Sequence, residues 1–299
     1  MTLFTQRQLI ISLFLILSSV LFTSCEPKND ENLVPSYLHI DKITVSTDFQ
    51  QGTNSSSITD AWVYIDDQLI GSFELPATIP ILTEGKQNLV VRAGIKLNGI
   101  SNTRNAYPFY TAIKREVNFV KDSVINLTAA EVTYEAKTSF PWTENFNLSG
   151  MTLDTTSKST VKLEKTNNLD LMFPEQDNEY SGIVTMTNDT SIFEAVTVEK
   201  YDFPGNGSPV FLEMNYKVNQ DLVVGVFYLT SGMKVQRPLI DLKKTDEWKK
   251  VYINLTVPKY DTPNATDFQI FIGAQKDKNV DEAVLLIDNM KLVHFNTSK

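Results

Sequence analysis

The feature that most constrains the fold is a strict alternation of apolar and polar residues. Leu212, Met214 and Tyr216 fall on one side of an extended chain, whereas Glu213 and Asn215 fall on the other. A period of two residues is the period of a β-strand that buries one face. No segment after the first thirty residues sustains a helical period, so the sequence predicts an all-β protein.

The alternating segments are short and are separated by Gly, Pro, Asn and Asp turns, which is typical of β-sandwiches. The strands predicted in the first half are 37–47, 61–65, 69–75, 88–97, 110–120 and 123–134. The second half contains 182–187, 193–201, 210–218, 222–229, 249–256, 267–274 and 283–295. Residues 137–142 contain Pro141, which interrupts strand pairing. We therefore predict one domain over 37–136, a linker over 137–142 and a second domain over 143–299.

The first residues of the chain predict an export signal. Residues 9–22 (LIISLFLILSSVLF) are apolar residues and serines after Arg7, a run too short for a transmembrane helix. Thr23-Ser24-Cys25 then resembles the lipobox of bacterial lipoproteins. The resemblance implies that residues 1–24 are removed and that Cys25 is lipidated and anchored in a membrane. The alternative is a plain cleavage site beside an ordinary cysteine.

Residues 25–36 are polar and acidic and predict a solvated tether. This segment resembles the acidic export signal of surface lipoproteins from Bacteroidota. The resemblance implies that the protein lies in the outer membrane or at the cell surface.

Composition excludes several classes of function. The net charge is −9 and the sequence contains no Lys/Arg-rich run, so nucleic acid is not expected as a partner. Cys25 is the single cysteine, which excludes a disulfide framework, a thiolate zinc site and a cysteine nucleophile. The common hydrolase and phosphate-loop motifs are absent. We therefore expect a non-enzymatic protein.

Two family resemblances specify the domains. Trp62-Val63-Tyr64-Ile65-Asp66, with Gly71, Pro76, Pro80 and Gly85, resembles the PEGA type of surface domain and implies a small PEGA- or Ig-like sandwich. Segments 144–146 (ENF), 211–217 (FLEMNYK), 247–255 (EWKKVYINL) and 286–292 (LIDNMKL) resemble jelly-roll carbohydrate-binding modules of the galactose-binding-like type. This second resemblance implies a jelly roll, although many such domains bind no sugar.

The alternation also predicts a binding surface. Aromatic rings stack on the C–H faces of sugars, while amides and carboxylates pair with hydroxyls. The outward side chains of the second domain combine both types, and the predicted glycan-binding set is Glu213, Asn215, Tyr252, Asn254, Gln269 and Phe271. The alternative is that a loop or the preceding domain covers these aromatic side chains.

The jelly-roll resemblance also implies a structural calcium ion between Glu144 and Asp288. Calcium needs six to eight oxygen ligands, so two carboxylates are compatible with it but not diagnostic. The alternative for Asp288 is an ordinary turn or bulge hydrogen bond.

Taken together, these features predict a cell-envelope lipoprotein that binds a glycan through its jelly roll. One alternative is an adhesion or scaffold protein that binds other envelope proteins. A second alternative is a polysaccharide-degrading enzyme built on the jelly roll, although no pair of catalytic carboxylates can be located from the sequence.

Overall fold

The structure is a computed structural model that describes residues 34–175 and 177–296. Strands dominate these residues, which confirms the predicted all-β class. The predicted signal 1–24, Cys25 and most of the tether lie outside the described residues. Within the described part of the chain, no helix is long and apolar enough to cross a membrane.

The N-terminal unit consists of three small sheets. Strands β4, β3, β6 and β7 pair in that order, and β8 also pairs with β6; the other sheets are β5-β1-β9 and β10-β2. The strands are β1 (Ser36–Ile40), β2 (Thr44–Val45), β3 (Asp60–Ile65), β4 (Gln68–Glu74), β5 (Ala77–Ile81), β6 (Gly85–Lys96), β7 (Arg104–Ala106), β8 (Ile113–Phe119), β9 (Val124–Asn126) and β10 (Glu131–Val132). A short 3-10 helix, Phe49–Gln51, lies in the loop before β3.

The C-terminal unit is a sandwich of two antiparallel sheets. The front sheet has the order β13-β14-β21-β16-β19, with β11 also paired to β21, and the back sheet has the order β12-β15-β20-β17-β18. The front strands are β11 (Thr138–Glu144), β13 (Glu164–Thr166), β14 (Ser181–Met186), β16 (Val210–Val218), β19 (Lys249–Asn254) and β21 (Ala283–Phe295). The back strands are β12 (Leu153–Thr155), β15 (Ile192–Thr197), β17 (Leu222–Thr230), β18 (Met233–Leu242) and β20 (Thr266–Gln275). A short helix, α1 (Thr256–Asp261), follows β19.

The core of the sandwich follows the alternation in the sequence. Leu212, Met214 and Tyr216, which the alternation places on one side of their strand, all belong to one buried cluster between the two sheets. Burying such side chains contributes roughly 1.5–3 kcal/mol each relative to full exposure. The alternation therefore predicted the inward face of this strand correctly.

The predicted linker is a strand. Residues 138–144 form β11, which pairs with β21 along one edge, so the linker prediction over 137–142 is wrong. Pro141 is accommodated because the register shifts between Ser139 and Trp142, where the chain bulges. An edge strand with a bulge tolerates a residue that lacks a backbone N–H.

The hydrophobic core of the N-terminal unit extends onto the front sheet of the sandwich. Its buried apolar cluster includes Phe211, Tyr252 and Val293, which all belong to the front sheet. Rings from both units contact one another edge to face, for example Tyr107 and Phe211 with centroids 5.4 Å apart. The part of the outer face of the front sheet that β16, β19 and β21 form is thus an internal surface of the protein.

Candidate functional site

A buried carboxylate lies at the centre of the contact between the two units. Glu213 on β16 has no exposed surface, and its Oε1 accepts hydrogen bonds from the hydroxyls of Tyr107 and Tyr134, each at 2.8 Å. The Nζ of Lys250 lies 3.4 Å from Oε2. A buried charge is tolerated only when it is paired and hydrogen-bonded, and here both units supply the partners.

Burial determines the protonation of these groups. It raises the pKa of Tyr107 and Tyr134 well above the usual phenol value, and the negative charge of Glu213 adds to the effect. Both phenols therefore stay protonated and remain donors. Burial lowers the pKa of Lys250, although the neighbouring Glu213 opposes that shift.

Tyr252 and Asn215, two of the predicted sugar-binding residues, are covered by the N-terminal unit. Tyr252 is 1% exposed, and its hydroxyl accepts from the backbone N–H of Ser57 at 3.0 Å. The hydroxyl of Ser55 donates to Oδ1 of Asn215 at 2.9 Å. Together with Glu213, these side chains bind the other unit of the same chain instead of facing solvent.

The backbone extends this contact at the edge of the front sheet. Leu97 forms an isolated parallel β-bridge with Tyr252. The N–H of Asn98 donates to the carbonyl of Tyr252 at 2.9 Å, and Oδ1 of Asn98 accepts from the N–H of Asn254 at 2.8 Å. The free edge of β19 is therefore partly paired by the end of β6.

Gln269 and Phe271 lie on the other sheet, away from the rest of the predicted set. Phe271 is 2% exposed, and its ring packs against Phe227 with centroids 5.1 Å apart. The side-chain amide of Gln269 donates to the carbonyl of Thr197 at 2.6 Å. The prediction that the six residues form one exposed face is wrong, because the two sheets separate them and packing covers their aromatic rings.

The two carboxylates of the predicted calcium site have separate partners. Oε1 of Glu144 accepts from the N–H of Phe146, and Oε2 accepts from the N–H and hydroxyl of Thr152. Asp288 accepts from Ser181, Asn178 and the N–H of Asn289. Among the described residues, no group of three acidic, His or Cys side chains could hold a metal ion. The arrangement does not fit a shared calcium site.

Burial raises the pKa of Asp288 to about 7, while the hydrogen bonds from Ser181, Asn289 and Asn178 oppose the shift. In the same sheet, burial lowers the pKa of Lys291 to about 7, opposed by the negative charge of Glu213. The front sheet therefore carries titratable groups whose ionisation is suppressed by lost hydration.

A cleft of about 860 Å³ opens beside this contact. One wall comes from the loop before β3 and from the turn after β6, and the other comes from the end of β18 and the start of β19. Its volume falls in the range of small-molecule sites, which often lie between domains. The lining residues combine hydroxyls, amides, lysines and aromatic rings: Ser55, Ser56, Ser57, Thr59, Asn98, Ser101, Asn215, Lys96, Lys243, Lys244, Lys249, Lys250, Phe173, Tyr216, Trp248 and Tyr252.

Trp248 is a half-buried aromatic side chain that lines this cleft. Its indole contacts the ring of Phe173 edge to face, with centroids 5.3 Å apart. The indole N–H and the hydroxyls of Ser56 and Ser101 have no hydrogen-bond partner within the described ranges. The cleft therefore combines a fixed aromatic surface with hydrogen-bonding groups that are free to bind a ligand.

Sequence reasoning missed this site. The predicted strands do not include β18 (Met233–Leu242), and the predicted glycan-binding set does not include Trp248. The sequence of β18 alternates weakly and contains Pro238, so it carries little strand signal. The one available signal was the pair Glu247-Trp248, a large aromatic in a polar context directly before an alternating segment.

A second cavity of about 440 Å³ lies near the 3-10 helix. Fully exposed Phe49 lines it, together with Asn147, Asp177 and Asn178. Its amides already hold the surrounding loops, because Oδ1 of Asn147 accepts from the N–H groups of Glu179 and Tyr180. These groups stabilise the loops and are less available to a ligand than those of the cleft.

Comparison with known proteins gives distant similarities of fold. No protein-family model matches the chain, and no curated protein matches it. A Clostridium thermocellum xylanase, solved as carbohydrate-binding and catalytic modules with xylohexaose, is 12% identical with a TM-score of 0.38; the match covers 52% of this chain and 28% of that chain. The module TmCBM61, solved with β-1,4-galactotriose, is 15% identical with a TM-score of 0.31. The match covers 47% of this chain and 85% of that chain. A variant of the module CBM29-2 is 14% identical with a TM-score of 0.33. The match covers 53% of this chain and 91% of that chain.

These structural neighbours include carbohydrate-binding modules. The chain spans less than a third of the xylanase chain that it matches. At such identities and TM-scores, the similarities assign neither a ligand nor an activity to this chain.

The hydrogen bonds to Glu213 should stabilise the protein measurably. We expect Tyr107→Phe and Tyr134→Phe each to lower the free energy of unfolding by about 1.5–3 kcal/mol, because each removes a donor from a buried carboxylate. Tyr110→Phe is the matched control, since its hydroxyl contacts only that of Tyr252, at 3.3 Å, and it should cost less. Denaturant unfolding measures the free energy of unfolding of all three variants. An equal loss of stability in all three would contradict the claim that hydrogen bonds to Glu213 contribute more than the contact between Tyr110 and Tyr252.

Proposed function

We propose that this chain is a non-enzymatic lipoprotein of the cell envelope that binds a glycan in the cleft between its two units. The observation that carries the proposal is the half-buried Trp248, whose ring packs against Phe173 and which lines the same cleft as the hydroxyls of Ser56 and Ser101. A ring held in place loses little entropy when a ligand stacks on it.

The chemistry of the cleft suits a sugar. The face of an indole ring stacks on the C–H face of a pyranose, and its N–H can donate to a sugar hydroxyl. The hydroxyls of Ser56 and Ser101 can both donate and accept, as sugar hydroxyls do. The side-chain amide of Asn98 adds an N–H group at the same wall.

The small number of carboxylates in the cleft favours binding over hydrolysis. Asp241 is the one acidic side chain that lines the cleft within the described residues. Glycoside hydrolysis commonly needs two carboxyl groups about 5–9.5 Å apart on either side of the bond. The cleft supplies one, which supports a binding protein over the alternative of a polysaccharide-degrading enzyme.

Replacing Trp248 tests the site. We expect Trp248→Ala to weaken glycan binding by roughly tenfold or more, equal to about 1.4 kcal/mol, because the stacking surface is lost. Trp248→Phe keeps a ring and should retain most of the affinity. Affinity electrophoresis through gels containing individual soluble polysaccharides provides the measurement.

Phe49→Ala is the matched control, because Phe49 is a fully exposed ring outside the cleft. Its glycan binding should equal that of the wild type. Loss of binding in Phe49→Ala but not in Trp248→Ala would place the ligand in the smaller cavity and contradict the proposed site. A wild-type protein that binds no polysaccharide would favour the adhesion or scaffold alternative.

The envelope location rests on the sequence around Cys25. We expect Cys25→Ser to abolish acylation and release the protein from the membrane fraction, because a thioether-linked lipid needs the sulfur atom. Fractionation followed by immunoblotting of the native host, or of a bacterium that processes lipoproteins, checks the prediction. A variant that stays in the membrane fraction would refute the anchor.

A further inference from the structure

The cleft carries a charge opposite to that of the whole protein. The chain has a net charge of −9, yet the cleft is lined by five lysines and one aspartate. In an acidic protein, an even distribution of charge would place more carboxylates than ammonium groups along such a surface. The local excess of positive charge therefore indicates that a ligand of this cleft is negatively charged.

Carboxylates of the protein neutralise three of the five lysines. Lys250 lies beside Glu213, Lys243 lies 2.6 Å from Asp221, and Lys96 lies 3.8 Å from Glu74. Lys244 and Lys249 remain: both are exposed, and neither forms an ion pair with a described residue. These two ammonium groups are free to bind an anion.

The two free lysines accompany the aromatic surface. Lys249 follows Trp248 directly in the chain, and Lys244 lies on the segment that leads to it. All three line the same cleft. A ligand that stacks on Trp248 therefore comes within the field of both charges, at a partly enclosed surface where charge interactions are screened less than in open solvent.

We propose that the cleft binds an anionic polysaccharide, a glycan whose sugars carry carboxylate or sulfate groups. This inference rests on the proposed glycan binding at Trp248 and adds the chemical class of the ligand. The ring contacts the sugar face, while Lys244 and Lys249 contact the acidic substituents. Binding is then expected to weaken as the salt concentration rises.

The test uses the mature full-length protein and pairs of polysaccharides that differ only in charge. Polygalacturonate is compared with its methyl-esterified form, and a carrageenan with its desulfated form. The wild type should bind at least one anionic member about tenfold more tightly than its neutral partner. A difference within the polygalacturonate pair would identify carboxylate as the recognised group. A difference within the carrageenan pair would identify sulfate.

The double variant Lys244→Gln/Lys249→Gln should lose about tenfold in affinity for the anionic member, and its affinity for the neutral partner should change little. Lys42→Gln/Lys278→Gln is the matched control, because it removes the same charge from two exposed lysines outside the cleft. It should bind like the wild type. An equal loss in both double variants would show a dependence on net charge alone and overturn the inference.

The remaining outcomes separate the two proposals. Binding that requires Trp248 but is equal for charged and neutral members would overturn the anionic class and leave glycan binding intact. Absence of binding to every member, with circular dichroism showing a folded protein, would overturn both.

Discussion

The rest of the structure depends on how the buried carboxylate of Glu213 is paired. It lies on the outer face of a sheet, where an unpaired charge under another domain would cost several kcal/mol. Tyr107 and Tyr134 of the N-terminal unit donate hydrogen bonds to Oε1, and Lys250 of the same sheet forms an ion pair with Oε2, which accepts no hydrogen bond from a described residue. Tyr107 and Tyr134 supply these hydrogen bonds only in the docked arrangement, so the contact favours that arrangement over one that would bury Glu213 without them.

This contact decides which surfaces a ligand can reach. It covers Tyr252 and Asn215, the residues that the outward face of an isolated jelly roll would display. It also brings the loop before β3 and the turn after β6 to the edge of β19. The same docking thus closes one surface and creates the cleft beside it, so the candidate site belongs to neither unit alone.

The sequence predicted which way side chains point but not what they meet. Alternation placed Leu212 and Met214 correctly in the core, and Glu213 and Asn215 correctly on the opposite face. A period of two reports the side of a sheet and carries no information about what lies against that side. The partner Tyr107 is 106 residues away in the chain, and no local pattern connects the two positions.

The other differences have local physical causes. Pro141 suggested a break in the chain, whereas a bulge lets the edge strand β11 include it. Strand β18 was missed because it lies at a sheet edge with one buried residue, Leu242, and a proline in its middle. One wall of the cleft is built from the end of this strand, so the pair Glu247-Trp248 was the one local signal of the site.

The central claim is that a ligand binds between the two units. Hydrogen–deuterium exchange with and without a saturating bound polysaccharide tests it most directly, because amides covered by a ligand exchange more slowly. The account predicts slower exchange in both walls of the cleft, residues 55–59 and 97–101 on one side and 240–250 on the other, with no change in β15 and β20 of the back sheet. Protection confined to the back sheet, or to the loops around Phe49 and Asn147, would contradict it.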